Sequence, residues 1–453
     1  MLAAAFRRSH GLALALTLGG LAAAGGGLAV AATRAERQVT PLLRLDDYAL
    51  FYVGLLIAAA AAVAILSRGY LRERDVHPEE YYVLLLTATL GGATLVAATH
   101  FASLFLGLEI LSVSLYALIA YPLDRAEHVE AAVKYLVLAG ATSAFLIFGM
   151  ALVYARTGMM TAAGLAPALT SSGDTILAVS VVLMFVGVGF KLAVVPFHMW
   201  TPDVYQGAPA PVTAYVATVS KGAVFALLLR FFRPLNLHPD TALFLAVAAV
   251  AAASMVAGNL LALRQDNVKR VLAYSSIAHL GYLLVAFLAT GGRAATAATF
   301  YLVAYFATSL VAFGVVTALS TPLREAELLG DYRGLARRRR WTAAAFAIAL
   351  FSLAGMPLTA GFIGKFYLVT AGAGAALWAL VVVLVLTSTV GLYYYTRIVV
   401  VMYVRRPDGS EAGAAVDGAS GAVLAALTVF LLAVGVYPAP LIELVERVVA
   451  TLP

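Results

Sequence analysis

The sequence predicts an all-α polytopic membrane protein with about thirteen transmembrane helices, arranged as two inverted five-helix repeats that each contain a discontinuous helix. Three observations support this fold class: the composition, the spacing of the apolar runs, and the position of the few charges inside those runs. Of the 453 residues, 63% are apolar and 12% are charged, and the mean hydropathy is +0.94. A soluble domain is nearer half apolar and a quarter charged, so most of this chain is expected to lie in lipid.

Composition also excludes several kinds of site. The chain has no cysteine, which rules out disulfides, cysteine-bound iron–sulfur clusters and thiolate zinc sites. The formal net charge of +7 could suggest nucleic acid. A basic balance also marks the cytoplasmic loops of membrane proteins, and with this hydropathy no nucleic-acid partner is expected.

Apolar runs of membrane-crossing length recur along the whole chain. They lie near residues 11–32, 48–67, 80–99, 101–121, 129–155, 174–197, 212–233, 240–263, 268–290, 296–320, 341–370, 376–403 and 420–441. The runs lack the alternation of a barrel strand, which favours a helical bundle. An alternative at the start is a cleaved signal peptide, since Arg7 and Arg8 precede an apolar stretch and a small-residue motif near residue 32.

Loop charges predict the orientation. With the N-terminus in the cytoplasm, the cytoplasmic segments hold 17 cationic residues and the opposite segments hold 8. This excess obeys the positive-inside rule, so the N-terminus is predicted inside and the C-terminus outside. The arginine cluster at 337–340 is interpreted mainly as a topology determinant.

The chain has five lysines and 25 arginines. Lys269 lies at the edge of the 268–290 run and is counted with the cytoplasmic loop cations, and the other four lysines fall inside membrane-length runs. These are Lys134, Lys191, Lys221 and Lys365. Arginine keeps its proton in proteins, whereas a desolvated lysine can release one. The concentration of lysines in the apolar runs therefore indicates side chains that bind and release protons. Glu109 is the one carboxylate in the middle of a run, and Lys191 or Lys134 is its expected partner. The alternative is a set of static ion pairs between helices.

Two of the lysines lie beside predicted helix breaks. Lys191 precedes Pro196, and Lys365 follows Pro357 and a glycine-rich stretch. Proline removes a backbone donor, and half-helix ends at the midplane hold ions and water in transporters. A kink without function is the alternative reading of either site.

The polar residues also repeat in position. Four regions are predicted: accessory helices at 1–79, a first five-helix repeat at 80–233, a second at 240–403, and a last loop and span at 404–453. The broken lysine helix is the fourth member of each repeat, and an odd number of helices per copy makes the repeats inverted.

His279 lies mid-span and could relay protons or pack helices, while His198 could serve proton entry or cap a helix. The scattered histidines predict no metal site.

Several long motifs carry a family resemblance. Residues 190–213 read FKLAVVPFHMWTPDVYQGAPAPVT, and shorter matches are LFLGLE at 104–109, VKR at 268–270, YSSIAHLGY at 274–282, SLAGMP at 352–357, GFIGKFY at 361–367 and GLYYY at 391–395. Across roughly residues 40–445 the chain resembles the antiporter-like membrane subunits of respiratory complex I, the bacterial proton-translocating NADH:quinone oxidoreductase. The resembling subunits normally have one further span, apparently before the first one here.

The resemblance implies a proton half-channel in each repeat and a polar axis at the membrane midplane. On matching positions, Glu109 would pair with and modulate Lys191, the proton-carrying lysine of the first broken helix. Lys221 would connect the half-channels with His279 beside it. Lys365 would be the terminal proton carrier, at a position where one branch of the family carries glutamate. Lys134 and His198 remain secondary candidates.

The implied function is proton translocation in the bacterial inner membrane, driven by quinone reduction elsewhere in the complex. No cofactor or metal is expected on this chain, since NADH, FMN, iron–sulfur clusters and quinone belong to partner subunits. The expected partners are the other membrane subunits, lipids and protons. An alternative is a subunit of a multisubunit sodium/proton antiporter, and a purely structural scaffold is a weaker one.

Overall fold

The chain folds into a bundle of helices in the computed structural model, which describes residues 8–72, 74, 76–122, 125–161, 174–235, 237, 239, 241–405 and 416–452. Within these ranges, twelve helices are long and apolar enough to cross a bilayer. The remaining predicted run, 341–370, forms two shorter helices, so the expected count of about thirteen spans and the discontinuous helix are both found. Helices suit these sequences because each backbone polar group is satisfied within its own segment.

The N-terminal region contains two helices joined by a hairpin. Its elements are α1 (His10–Ala32), β1 (Arg37–Thr40), β2 (Leu43–Leu45) and α2 (Asp47–Arg72). The two strands are antiparallel, and α1 packs on α2 and the next helix. Residues 1–7, on which the signal-peptide alternative partly rests, lie outside the described residues.

The first repeat is a set of five spans, of which the fourth is interrupted. Its helices are α3 (Pro78–Ala97), α4 (Phe101–Ala120), α5 (Ala126–Thr157), α6 (Thr175–Leu192), α7 (Trp200–Gly207) and α8 (Ala210–Leu235). Asp174 caps α6 by accepting hydrogen bonds from the Ile176 and Leu177 amides. A π-helical turn, Val216–Ser220, lies within α8.

The second repeat has the same organisation, with a short surface helix before its broken span. Its helices are α9 (Ala242–Leu263), α10 (Val268–Leu288), α11 (Gly292–Leu319), α12 (Leu335–Arg338), α13 (Arg340–Ala354), α14 (Ala360–Gly374) and α15 (Trp378–Tyr403). A 3-10 turn, Leu329–Tyr332, precedes α12. The chain ends with α16 (Gly418–Val436) and α17 (Ala439–Val449).

Equivalent helices of the two repeats pack on equivalent neighbours. The first and second members pair closely in both repeats, as α3 with α4 and α9 with α10. The first member also packs on the fifth, as α3 on α8 and α9 on α15, and the second packs on the third. Helices α8, α10 and α11 are almost completely buried, so the core of the bundle lies where the two repeats meet.

The two helix breaks have the same local geometry. The C-cap residues that follow α6 and α13 are Ala193 and Gly355, and both have positive φ, of 61° and 82°. At each position the amide donates to carbonyls three and four residues earlier, which is a helix-terminating arrangement in the left-handed region. A side chain at Gly355 would also meet the aliphatic chain of Lys365, so glycine is favoured there.

Loops that alternate along the sequence gather at two opposite ends of the bundle. Arg125 donates to the carbonyls of Pro322 and Leu323, Arg74 donates to the carbonyl of Thr321, and Asn267 pairs with Leu328. We call this the arginine-rich end. The hairpin contacts the α3–α4 connection at the other end, through Leu43 and Ala98. This grouping matches the alternation expected of successive spans.

Candidate proton-translocation site

Buried polar side chains form one row of contacts through the core, from the first broken helix to the second. Lys191, Lys221, His279 and Lys365 all lie in this row and are each at most 8% exposed. Neighbouring members are joined by hydroxyl groups or by aromatic rings. The row was built from four different helices, α6, α8, α10 and α14.

Lys191 is the first cation of the row, at the end of α6. Its Nζ donates to Ser112 Oγ at 2.7 Å and to the Tyr135 hydroxyl at 3.2 Å. Glu109 lies nearby on α4, half-buried, and its Oε1 accepts a hydrogen bond from Ser143 at 2.7 Å. The ion pairs within 4 Å among the described residues do not include Glu109 with Lys191, so the expected direct pair is not formed in this state. Each charged group binds a different serine instead, Glu109 binding Ser143 and Lys191 binding Ser112.

Lys221 follows the π-helical turn of α8 and is the most enclosed of the three lysines. Its Nζ donates to Ser276 Oγ at 2.7 Å, and the Tyr305 hydroxyl donates to the same oxygen at 2.7 Å. The ammonium also lies 5.1 Å from the ring centre of Tyr205 and 5.9 Å from that of Trp200. Single π-helical turns inside α-helices are frequent at functional sites.

Trp200 connects the first lysine to the second. Its ring centre lies 4.8 Å from that of Tyr135, which hydrogen-bonds Lys191. Its indole Nε1 donates to the Phe190 carbonyl at 2.9 Å, and this bond fixes the ring across the helix break. The break therefore places an aromatic side chain between the two ammonium groups.

His279 occupies the middle of the row with a phenol at each ring nitrogen. Nδ1 lies 2.5 Å from the Tyr301 hydroxyl, and Nε2 lies 3.1 Å from the Tyr395 hydroxyl. A neutral imidazole donates through one nitrogen and accepts through the other, so either tautomer is satisfied here. The ring of Tyr305, which hydrogen-bonds Ser276, lies 5.6 Å away and links His279 to the Lys221 group.

Lys365 ends the row beside the second helix break. Its Nζ donates to the carbonyls of Leu353 at 2.7 Å and Ala354 at 3.0 Å, the last carbonyls of α13, and to Ser388 Oγ at 2.7 Å. A cation at a helix C-terminus is favoured by the exposed carbonyls. The ring of Tyr282 lies 5.4 Å from the ammonium and 5.3 Å from the His279 ring, which completes the row.

Lys134 does not belong to this row, which corrects the expectation that it lies inside the membrane beside Glu109. Its side chain is 45% exposed and forms ion pairs with Glu130 at 2.7 Å and Asp203 at 3.1 Å. Arg270 also binds Asp203, at 2.8 Å. These groups belong to the arginine-rich end. The long apolar stretch lies on the C-terminal side of Lys134, whereas Glu127, His128 and Glu130 precede it, so Lys134 lies near the end of the helix that faces solvent.

A charged cavity of about 410 Å³ opens at that end of the bundle. Besides Ala131 and Gly207, polar or charged residues line it: Arg125, Glu127, His128, Glu130, Lys134, Asp203, Gln206, Arg324, Glu325 and Glu327. The cavity is open to solvent and is bordered by α7. On the side of α7 that faces the core, Tyr205 contacts Lys221 and Ser276.

Lys269 is buried instead, although the sequence analysis counted it among loop cations. Its Nζ binds Glu325 at 2.5 Å and donates to the carbonyls of Gln206 and Ala208. Glu325 also accepts from the Ala210 amide at 2.9 Å and from Tyr70. Burial opposes ionisation of Glu325, but the Lys269 charge and these hydrogen bonds hold its pKa below the ordinary value. The pair fixes the junction of α7 and α8.

His198 lies in the turn of the first helix break and is 9% exposed. Its Nδ1 has no hydrogen-bond partner among the described residues. It neither caps α7 nor joins the row of contacts. Its suggested part in proton entry stays a prediction.

The sequence analysis found the charged members of the row but not the groups that join them. Ser112, Tyr135, Ser276, Tyr305 and Tyr395 were not singled out, because hydroxyl-bearing residues are common on the faces of membrane helices. A usable signal was available for Tyr395, which lies in the GLYYY motif, and for Ser276, which lies three residues before His279. For Tyr305 we see no such signal.

This arrangement can carry a proton. Three amines, one imidazole and several hydroxyls alternate along the row, and hydroxyl and imidazole groups can both donate and accept. None of the three lysines has a carboxylate within 4 Å among the described residues, so their charge is balanced by hydroxyls, rings and carbonyls alone. The fold and the site define an antiporter-like ion-translocating membrane subunit.

Comparison with known proteins gives the particular family. The family model described as NADH:quinone oxidoreductase/Mrp antiporter, TM, matches residues 98–391. The NADH-quinone oxidoreductase subunit N of Methylococcus capsulatus is 47% identical over 99% of this chain and 92% of that protein. The subunit N of Ectopseudomonas mendocina is 46% identical with the same coverage. The chain therefore belongs to the NADH:quinone oxidoreductase/Mrp antiporter membrane-subunit family, in the branch of subunit N.

Solved structures agree with this assignment. A chain of respiratory complex I from Thermus thermophilus with bound aureothin matches 96% of this chain and 94% of its own length, with 33% identity and a TM-score of 0.82. A chain of the Mrp complex from Dietzia matches all of this chain and 94% of its own length, with a TM-score of 0.87. Its identity is 22%, so it shows the shared fold alone.

Proposed function

We propose that this chain is a proton-translocating membrane subunit of an NADH:quinone oxidoreductase. It would work in a bacterial inner membrane beside other membrane subunits, with the redox centres and the quinone on those partners. The observation that carries the proposal is the continuous row from Lys191 to Lys365, built from buried amines with neutral partners. A fixed structural charge in lipid would be expected to have a carboxylate beside it.

The residues take different parts in this proposal. Residues 80–233 and 240–403 form the two half-channel units, with accessory helices at 1–79 and a last loop and span at 404–453. Glu109 senses the neighbouring subunit and changes the electrostatic environment of Lys191 without a permanent ion pair. Protons pass along Lys191, Lys221, His279 and Lys365 by rotation of hydroxyls and through water that enters the polar interior.

The charged cavity at the arginine-rich end is the proposed point of proton entry. Its carboxylates attract protons, and Lys134 and Arg270 hold Asp203 at its wall. From there α7 leads to Tyr205 and the Lys221 group. His198 stays a secondary candidate for entry at the first break.

The energy for transport would come from changes at the subunit boundary. A close ion pair formed or lost in a low-dielectric site changes proton affinity strongly. One pKa unit corresponds to about 1.4 kcal/mol. Movement of Glu109 toward or away from Lys191 can therefore switch the first lysine between holding and releasing its proton, and this switch starts the transfer.

Lys191→Arg and Lys365→Arg test this proposal in the assembled complex. Arginine keeps positive charge and hydrogen bonding but does not release its proton. We expect normal assembly and fewer protons moved per electron in inverted membrane vesicles. Lys134→Arg is the matched control, because Lys134 is exposed and acts only through its ion pairs with Glu130 and Asp203, which arginine retains. An unchanged ratio of protons to electrons in both test variants would contradict the lysine relay.

Sodium/proton antiport is the second function to consider, since the matched family model includes Mrp antiporters. The proteins of highest identity given above are subunits N of quinone oxidoreductases, which favours the first function. Sodium dependence of proton movement in the same vesicles distinguishes the two.

A further inference from the structure

A large apolar groove lies between the first helix and the rest of the bundle, away from the lysine row. Its volume is about 990 Å³, at the upper end of the ~300–1,000 Å³ range of small-molecule sites. Its walls come from α1, α2, α11 and α16, and α17 covers one end. On α1 the lining residues extend from Leu18 to Ala32, which is roughly 20 Å along the helix. That length exceeds half of the ~30 Å hydrocarbon core.

The groove stays open because its facing helices carry small side chains. Gly25 and Ala29 of α1 face Gly54 and Ala58 of α2. A Cβ built on Gly25 meets nothing within 4 Å, and one built on Gly54 meets only a methyl group of Leu28 at 3.9 Å. No side chain fills this space from either helix. A groove of this kind in a bilayer is filled by hydrocarbon, since lipid tails are the surrounding solvent.

Two charged residues stand at the end of the groove where α2 begins. Asp47 opens α2, and Arg447 lies on α17. Both are exposed, and neither takes part in the ion pairs found among the described residues. Helix α17 packs its apolar side on Phe51 and Ala295, so it lies across the ends of α2 and α11. Its position there is that of an amphipathic helix at a membrane surface.

We propose that the groove is a binding site for one membrane phospholipid with an ammonium-bearing headgroup. The acyl chains fill the apolar walls, the phosphate binds the Arg447 guanidinium, and the headgroup ammonium lies near Asp47. Arginine recognises phosphate through its planar set of donors, and the carboxylate supplies the opposite charge that a zwitterionic headgroup needs. The lipid joins α1 to the bundle, where direct packing of α1 is sparse.

The acyl part is tested by filling the groove. Gly54→Leu and Gly25→Leu place a side chain into the open space without a backbone clash. Gly26→Leu is the matched control, because Gly26 is exposed beside Gly25 and does not line the groove. The probe is deuterated phosphatidylethanolamine, added to the purified, detergent-washed complex and quantified by mass spectrometry after rewashing. We expect the two groove variants to lose retained lipid and the control to keep it.

The headgroup part is tested with Arg447→Gln in the same assay. Loss of the charge-assisted phosphate contact is expected to lower retention roughly tenfold. Arg34→Gln is the control, since Arg34 is exposed near the same end but outside the groove. Equal retention by the groove-filling variants and the wild type would overturn the site. Equal or stronger retention of phosphatidylglycerol would overturn the headgroup assignment. Neither readout depends on proton pumping, so the result is independent of the proposed function.

Discussion

The Tyr395 hydroxyl hydrogen-bonds both His279 and Ser275, which lies one residue before Ser276 on α10. Tyr395→Phe removes both hydrogen bonds and leaves an imidazole nitrogen buried without its partner, at a cost of about 1–3 kcal/mol. We expect proton transfer through the row to slow on the order of tenfold. The measurement is the initial rate of vesicle acidification at constant electron transfer.

Tyr393→Phe is the control for that substitution. Tyr393 belongs to the same run of three tyrosines on α15, but its side chain is 65% exposed on the outside of the bundle. It should acidify vesicles at the wild-type rate. If Tyr395→Phe and Tyr393→Phe acidified vesicles at the same rate, the hydroxyl of Tyr395 would have no part in the relay.

The buried pair of Lys269 and Glu325 supports a prediction about stability. Glu325→Gln leaves the Lys269 ammonium buried without a negative partner, which is expected to cost about 3–5 kcal/mol. The measurement is the free energy of unfolding in denaturant at neutral pH. Glu36→Gln breaks an exposed pair with Arg44 and should cost less than about 1 kcal/mol. An equal loss of unfolding free energy in both variants would mean that the buried pair contributes no more to stability than the exposed one.

The same carboxylate makes stability depend on pH. Lys269 and the hydrogen bonds to Glu325 hold its pKa below the ordinary ~4.3 of a glutamate despite burial. Its contribution is therefore complete above the ordinary value and is lost as the pH falls toward the lowered one. We expect the difference in unfolding free energy between wild type and Glu325→Gln to shrink on acidification from pH 7. A constant difference would contradict this assignment.

The sequence was enough to predict part of the site, but the environment of the other residues depends on how the helices pack. Lys191, Lys221 and Lys365 could be predicted because lysine is rare inside an apolar run. Lys191 and Lys365 stood out further because each lies beside a predicted helix break. Lys134 and Lys269 exchanged their expected places, since hydropathy along the chain does not tell which side of a helix faces solvent. Lys134 points to the charged cavity, whereas Lys269, near the start of its helix, points into the junction of α7 and α8.

At the level of helices, glycine spacing determines how the broken span fits. A Cβ on Gly361 would lie 1.9 Å from the Ser352 carbonyl oxygen, so α14 approaches the end of α13 as closely as only glycine permits. Gly361→Ala should push the two half-helices apart. Lys365 lies one turn further along α14 and would then lose its bonds to the carbonyls of Leu353 and Ala354.

We expect this variant to assemble poorly, or to assemble and move fewer protons per electron. Native gels of solubilised membranes report assembly, and vesicle acidification reports transport. Gly374→Ala is the control on the same helix, because a Cβ there meets nothing within 4 Å. Wild-type assembly and transport in Gly361→Ala would show that the close approach is dispensable.

Both breaks could be predicted from proline and glycine, which do not continue a helix. The π-helical turn before Lys221 could not, because Val216–Ser220 contains neither residue and reads as ordinary helix. All five residues of the turn are buried, so its geometry depends on tertiary packing around α8. The amphipathic helix α17 was also missed, since its 11 residues are too short to register as a span.

For the whole molecule, the positive-inside count gives a specific expectation about orientation. The arginine-rich end, where Arg125 and Arg74 bind the loop at 321–323, should face the cytoplasm, and the β-hairpin should face the periplasm. The absence of native cysteine allows single cysteines to report this directly. Leu323→Cys and Val39→Cys place thiols at the two ends, at side chains 89% and 53% exposed.

A membrane-impermeant maleimide should label Val39→Cys in cells whose outer membrane is permeabilised. It should label Leu323→Cys only in inverted vesicles. Val39 lies in the exposed strand β1 and Leu323 in a loop, and neither contributes a group to the lysine row. Transport in these variants should therefore equal that of the wild type and verify folding. The reversed labelling pattern would place the charged cavity on the periplasmic side. Proton entry would then have to be assigned to the opposite end of the bundle, because the direction of transport follows from which solution that cavity meets.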